Sequence, residues 1–238
     1  MRTLLTCIGA IALVALCGQT LSNAASLRVA PTTVDMIAPD SAAVLNLRNE
    51  ADRPINVQVR VYRWTQEGGV DRLQPTRDVV ASPPATQLPA GADYVLRVVR
   101  VSKRPIRGEE SYRVVVDELP DRSRQRAGTV NLVMRHSVPV FFRSQDAAAP
   151  QVSWSVNRSG SQLMLIARND GAGRLRLSDV RVSQGGRPVG ARNGLVGYVL
   201  GGATMQWPIG TASGVGGGTV ALRAQSHLGP VKASVAVR

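Results

Sequence analysis

The chain is poor in the residues that most chemistry requires: of 238 residues, two are histidine and two cysteine, and aromatic residues make up 4%. His136 and His227 are far apart in the sequence, and no acidic cluster stands at ligand spacing, so no metal site is expected. His136 beside Ser137 is no nucleophilic dyad, because neighbours along a strand point to opposite faces. Nucleophile elbow, paired-carboxylate signature and dinucleotide fingerprint are all missing. The glycines from Gly214 to Gly218 are followed by no Lys-Ser/Thr and open no helix, which excludes a phosphate cradle and leaves a hairpin loop. These absences point to a binding protein, not an enzyme, working without a cofactor.

Long apolar runs are also missing. The stretch from Leu4 to Leu16 is shorter than the roughly 20 residues that a membrane-spanning helix needs. With Arg2 before it and Ser22-Asn23-Ala24-Ala25 after it, it has the layout of a secretory signal, expected to be cleaved after Ala24 or Ala25. Cys7 and Cys17 both fall inside this segment, so the mature chain is expected to begin near Ala25, without thiol or disulfide, and to fold regardless of reductant. Cys17 lacks the small preceding residue that lipid attachment requires.

Lysine is scarce too. Lys103 and Lys232 are the only two, and the formal net charge of +13 is carried by arginine. Such a balance suggests nucleic acid in a cytosolic protein, but an export signal argues against that partner. The basic residues alternate with apolar ones, as solvated strand faces do. An anionic membrane surface, a cell-wall polymer or the carboxylate of a protein partner are the alternatives.

What is present is alternation with a period of two. Ile55, Val57, Val59 and Val61 interleave with Asn56, Gln58 and Arg60, which predicts a strand with one buried and one wet face. The pattern recurs in Val44 to Leu47, Tyr94 to Val101, Tyr112 to Leu119 and Val130 to Phe142, with proline and glycine between. About seven strands in roughly a hundred residues fit an immunoglobulin-like sandwich. The small-residue stretch ending at Pro150 reads as a linker, and a second, glycine-richer set of strands follows. The expected organisation is a signal at 1–25, a first domain at 26–144, a linker at 145–150 and a second domain at 151–238. The fold class is all-β, two immunoglobulin-like β-sandwiches.

The residues Leu27-Arg28-Val29-Ala30-Pro31-Thr32, Trp64-Thr65-Gln66, Asp71-Arg72-Leu73, Ser82-Pro83-Pro84, Leu88-Pro89-Ala90-Gly91, Asp117-Glu118-Leu119-Pro120 and Arg135-His136-Ser137-Val138-Pro139-Val140-Phe141-Phe142 resemble the periplasmic chaperones of chaperone-usher pilus assembly, especially their alternate, archaic branch. Gly197-Tyr198-Val199-Leu200 and Trp207-Pro208 continue the likeness more faintly. The resemblance implies a periplasmic protein whose partners are pilin subunits and an outer-membrane usher, peripheral to the membrane only through that usher, and open to self-association when unliganded. A pilin is an immunoglobulin-like domain lacking its last strand. The chaperone lends one, pairing the open edges and filling the groove with alternate apolar side chains.

In the family the donated strand closes the first domain, and Val130 to Phe142 matches it. Val130, Leu132, Met134, Val138, Val140 and Phe142 share one parity and are the candidate subunit-binding residues. By position, Val130 and Leu132 are assigned to this domain's own core and Met134 through Phe142 to donation. The alternative is that the whole parity faces inward, as in any sandwich strand. The resemblance also implies a cationic anchor for the subunit's C-terminal carboxylate, but Thr33 stands where the family arginine is found. Arg143, Arg28 and Arg135 are the candidates in its place. An ion pair fixing the angle between the domains is expected at Arg97 and Glu110. The rival reading is a secreted structural or adhesive module of the same fold. Retention in the periplasmic fraction and a gene beside pilin and usher genes separate the two.

Overall fold

The computed structural model describes residues 27–121 and 132–238, so the expected signal segment lies outside the described residues. Every regular element described is a strand. The first ten are β1 (Leu27–Ala30), β2 (Val34–Ile37), β3 (Ala42–Asn49), β4 (Ile55–Glu67), β5 (Val70–Pro75), β6 (Val79–Ser82), β7 (Ala85–Leu88), β8 (Asp93–Arg100), β9 (Glu109–Leu119) and β10 (Arg135–Arg143). They form a four-stranded sheet, β1-β3-β8-β6, and a six-stranded one, β2-β10-β9-β4-β5 with β7 also on β4. Next come β11 (Val152–Ser159), β12 (Gln162–Asn169), β13 (Leu175–Gln184), β14 (Arg187–Val199), β15 (Thr204–Thr211), β16 (Gly218–Ser226) and β17 (Gly229–Val237). These make one seven-stranded sheet in the order β14-β13-β16-β17-β11-β12-β15.

The alternation in the sequence becomes the two faces of each strand: from Ile55 to Arg60 buried and exposed residues take strict turns. Leu27, Leu45, Leu47, Leu96 and Val98 of the four-stranded sheet meet Val57, Val59, Val114, Val116, Val140 and Phe142 of the six-stranded one. A separate core gathers Val156, Leu163, Leu165, Leu177, Val182, Trp207, Leu222 and Val235. Each such side chain contributes about 1.5–3 kcal/mol by leaving water. The chain is all-β, with two immunoglobulin-like sandwiches.

A buried asparagine does the same work in each half. Asn49, at the end of β3, donates from Nδ2 to the carbonyls of Arg53 (2.7 Å), Leu88 (3.1 Å) and Pro89 (2.9 Å). Asn169, at the end of β12, donates likewise to Gly173 (2.7 Å), Val199 (3.3 Å) and Leu200 (3.2 Å). Each Oδ1 accepts the N–H two residues on, closing a turn that lets the chain leave the strand. Both tie a loop to a second segment whose carbonyls would otherwise be buried without partners.

The β4–β5 hairpin joins the halves. Its turn needs positive φ at Gly68 (62°) and Gly69 (78°), which glycine supplies without strain. Gly69 bridges to Met205, and a Cβ there would lie 2.9 Å from Cγ of Gln206. Gln66 clasps the second sheet at two backbone groups, accepting from Leu200 N–H and donating to the Tyr198 carbonyl, both at 2.9 Å. Trp64, Phe141, Tyr198, Leu200 and Ala203 make a small core of their own at this seam.

Candidate functional site

β10 is paired unevenly. Along one edge it follows β9 from Arg135↔Asp117 to Arg143↔Glu109, whereas along the other it meets β2 only from Val140 to Arg143. Glu118 N–H donates to the Met134 carbonyl. Backbone groups alternate in an antiparallel ladder, so Arg135 and Ser137 turn their N–H groups away from β9. Among the described residues those groups have no strand partner. Pro139, with no N–H, ends this open stretch. Just before it, Leu132 is 87% exposed and Val133 is also exposed.

This arrangement corrects the division of the candidate binding residues. Val138, Val140 and Phe142, expected to be donated, are buried in the domain's own core, and Leu132, expected in that core, stands in solvent. The reason is the register. Val138 and Val140 pair with Val114 and Tyr112 of β9, and residues opposite one another share a face, so the even parity of β10 lines the same core. Met134 is partly buried and packs against it. Val130 lies outside the described residues.

The ion pair expected between Arg97 and Glu110 is not formed. Arg97 has the outward parity of β8, while Arg100 lies nearly buried and meets Glu110 from Nε at 2.8 Å. Tyr112 Oη donates to the same carboxylate at 2.9 Å, and Arg63 Nη1 to Tyr112 Oη at 2.8 Å. This network lies within the first sandwich. Burial works against the charge on Glu110, but the bonds from Arg100 and Tyr112 outweigh it and hold its carboxyl below the ordinary range.

Of the candidate anchors, Arg28 pairs with Glu50 at 3.4 Å, and Arg135 pairs with Asp117, which also accepts from Arg60 Nη2 at 2.5 Å. Desolvation likewise opposes the charge of Asp117, and the two arginines leave its carboxyl lowered. Arg143 is exposed and has no ion pair among the described residues. Sequence reasoning missed Arg113, which stands across from Pro139 on β9. Its guanidinium lies 3.8 Å from the ring centre of Trp64 and 5.7 Å from that of Tyr198. Desolvation lowers its pKa, and no carboxylate among the described residues is in ion-pair contact with it. The sequence signal was slight: an arginine directly before the apolar run Val114-Val115-Val116.

The link between the halves is Arg174, whose Nη1 reaches Glu109 Oε2 at 2.5 Å while Nη2 meets Asp35. Its guanidinium carbon lies 3.5 Å from the ring centre of Phe141. Burial is the main influence on Glu109 and pushes its carboxyl up despite the arginine.

Glu110 and Asp117 make the fold acid-sensitive. With both carboxyls lower in the folded chain than in the unfolded one, their stabilisation is present above the ordinary carboxylate range. It is lost as pH falls through the folded values. The melting temperature is expected to drop along that limb, and Glu110→Gln to flatten it. An unchanged limb in the variant would remove Glu110 from this role.

Residues 26–147 match the family model described as "Pili and flagellar-assembly chaperone, PapD N-terminal domain". Among solved structures the chain is similar to one from the CsuC–CsuE chaperone–tip adhesion subunit pre-assembly complex of the archaic chaperone-usher Csu pili of Acinetobacter baumannii. The identity is 26% and the TM-score 0.69, over 90% of this chain and 100% of that one. A chain of the Salmonella enterica SafA pilin–SafB chaperone complex matches at 21% identity and a TM-score of 0.60, over 89% of this chain and 97% of its own. The E. coli chaperone DraB matches at 21% and 0.58, over 88% and 96%. These last two likenesses concern the fold. No curated protein matches the chain.

Proposed function

The chain belongs to the family of pili and flagellar-assembly chaperones, and from that premise we propose that it captures pilin subunits by lending them the open edge of β10 and passes them to an outer-membrane usher. The observation that carries this reading is the edge itself, where the N–H groups of Arg135 and Ser137 turn away from β9 and meet no strand among the described residues. An unpaired edge of this kind is an aggregation hazard unless it has a partner. The same edge gives the unliganded chain a site for pairing with a second copy. The donated side chains are then Leu132, Met134 and the apolar residues before them, Val130 included, whereas Val138, Val140 and Phe142 hold the strand to its own domain. The work takes place in the periplasm, needs neither nucleotide nor metal, and is binding, not catalysis.

Arg113 is the anchor for the subunit's C-terminal carboxylate. A half-buried guanidinium stacked on an aromatic ring, bonded only to the neutral carbonyl of Ser137 at 3.4 Å and with no carboxylate of its own among the described residues, is short of an anion, and its fork fits a carboxylate in two hydrogen bonds. Arg143 is the other arginine of this strand pair with no ion pair among the described residues. Arg28 and Arg135 are engaged by Glu50 and Asp117.

Co-expression of the chain with a pilin subunit, followed by purification from the periplasm, tests the function, and failure to recover any subunit overturns it. For the anchor, Arg113→Gln is expected to weaken capture at least tenfold, about 1.4 kcal/mol, the lower end for a lost charge-assisted bond. A subunit extended beyond its natural C-terminus should bind wild type and variant alike. Equal affinity of wild type and Arg113→Gln for the natural subunit would move the anchor to Arg143.

A further inference from the structure

The second sandwich is cationic out of proportion. From Gln151 onward the sequence carries ten arginines and lysines against two acids, Asp170 and Asp179. Both acids are occupied: Asp170 pairs with Arg168 at 2.8 Å, and Asp179 Oδ1 accepts from Gly194 N–H at 2.8 Å. The register then sets three cations in a row across adjacent strands, Arg181 of β13 opposite Arg223 of β16 and Arg223 opposite Lys232 of β17. All three are exposed, and none has an ion-pair or hydrogen-bond partner among the described residues. Strands lie about 4.8 Å apart, and like charges directly opposite one another destabilise a sheet.

Around the row the side chains are small. Ala191 stands beside Arg181, and Ala221 faces Ser234 one step along the same pair of strands. Beside Arg223 and Lys232 the surface forms only a shallow, open depression with Ala221 and Ser234, while Leu222 and Ala233 between them turn their side chains to the core. The two large exposed apolar side chains of this sandwich, Leu195 and Leu228, lie outside the row.

We infer that this face of the second sandwich binds an anionic phospholipid surface. A protein partner is held at a few buried aromatic or arginine anchors in fitted pockets, whereas the one large exposed apolar side chain on this face, Leu195 of the edge strand β14, stands across from Ser178 and away from the row. A plane of phosphate headgroups requires no matching shape. It requires cations that stand clear of a flat bed, as these do. Each cation at an anionic leaflet is worth about fivefold in binding, so the row supplies on the order of a hundredfold. This interaction is independent of subunit capture, which uses the first sandwich.

Co-sedimentation of the purified chain with vesicles tests the inference. Binding is expected to phosphatidylglycerol–phosphatidylcholine vesicles and not to pure phosphatidylcholine, and to weaken as salt is raised. The triple variant R181Q/R223Q/K232Q should lose at least tenfold in binding. The control R77Q/K103Q/R107Q, which removes as much charge from exposed sites of the first sandwich, should stay within twofold of wild type. Because repulsion is relieved, the row variant should melt at or above the wild-type temperature, which separates lost binding from lost folding. Equal losses in both variants would reduce the effect to net charge and overturn the assignment. So would absence of wild-type binding, or binding of polyglutamate with none to vesicles, which would give the face to an acidic protein segment.

Discussion

Val140→Asp is expected to unfold the first sandwich, whereas Leu132→Asp should leave it folded and abolish subunit capture. The two residues share a parity and lie eight positions apart, yet Val140 is 0% exposed and Leu132 is 87% exposed. Val140 sits between Tyr112 and Val34 of the flanking strands, so an aspartate there enters the core with no cation to meet it. An unpaired buried charge, together with the lost apolar burial, costs several kcal/mol, a large share of the 5–15 kcal/mol of a typical domain. At Leu132 the same change alters stability by about 0.5 kcal/mol or less in the free chain. In the proposed complex it would drive a charge into the subunit's apolar groove. Circular dichroism and periplasmic co-purification read the two effects. A folded Val140→Asp chain would contradict the core assignment, and a Leu132→Asp chain that still captures subunits would remove Leu132 from the donated set.

Arg174→Ala should cost about 3–5 kcal/mol, the range for breaking a buried pair by removing one partner. The cost arises from what is left behind. Glu109 is 4% exposed at its side chain and would keep its charge without a counterion. Asp35, half exposed, can return to water. Since Glu109 already binds its proton more tightly in the fold than in the unfolded chain, the variant should recover stability as pH falls through that raised value, when the carboxyl becomes neutral. The double variant Arg174→Met with Glu109→Gln should regain most of the loss at neutral pH, because it leaves no buried charge. Chemical denaturation of wild type, Arg174→Ala and the double variant decides this. A single variant as stable as wild type would show that the cluster adds nothing to the joint between the sandwiches.

Much of the fold is legible in the chain. Period-two alternation, as in Ile55 to Val61, predicts strands wherever it occurs, because side chains on a pleated strand must point to opposite faces. Punctuation by proline and glycine separates them, and the class and family follow. Alternation states that there are two faces, but not which neighbour covers each. The even residues of β10 could have served a partner or their own core, and only the pairing with β9 and β2 decided for the core.

Ion pairs lie further still from the sequence. Arg97 and Arg100 are three positions apart on β8, and parity gives Arg100 to Glu110. Arg174 and Glu109 are 65 positions apart and meet because the β4–β5 hairpin and the Trp64–Phe141–Tyr198 cluster bring the sandwiches together at that point. Arg113 and the row Arg181–Arg223–Lys232 became visible for the same reason. The sequence alone determined composition, periodicity and strand identity, which are local. The tertiary structure decided which charges have partners, since that depends on register between strands and on how two sandwiches meet, and both are settled by the packing of the whole chain.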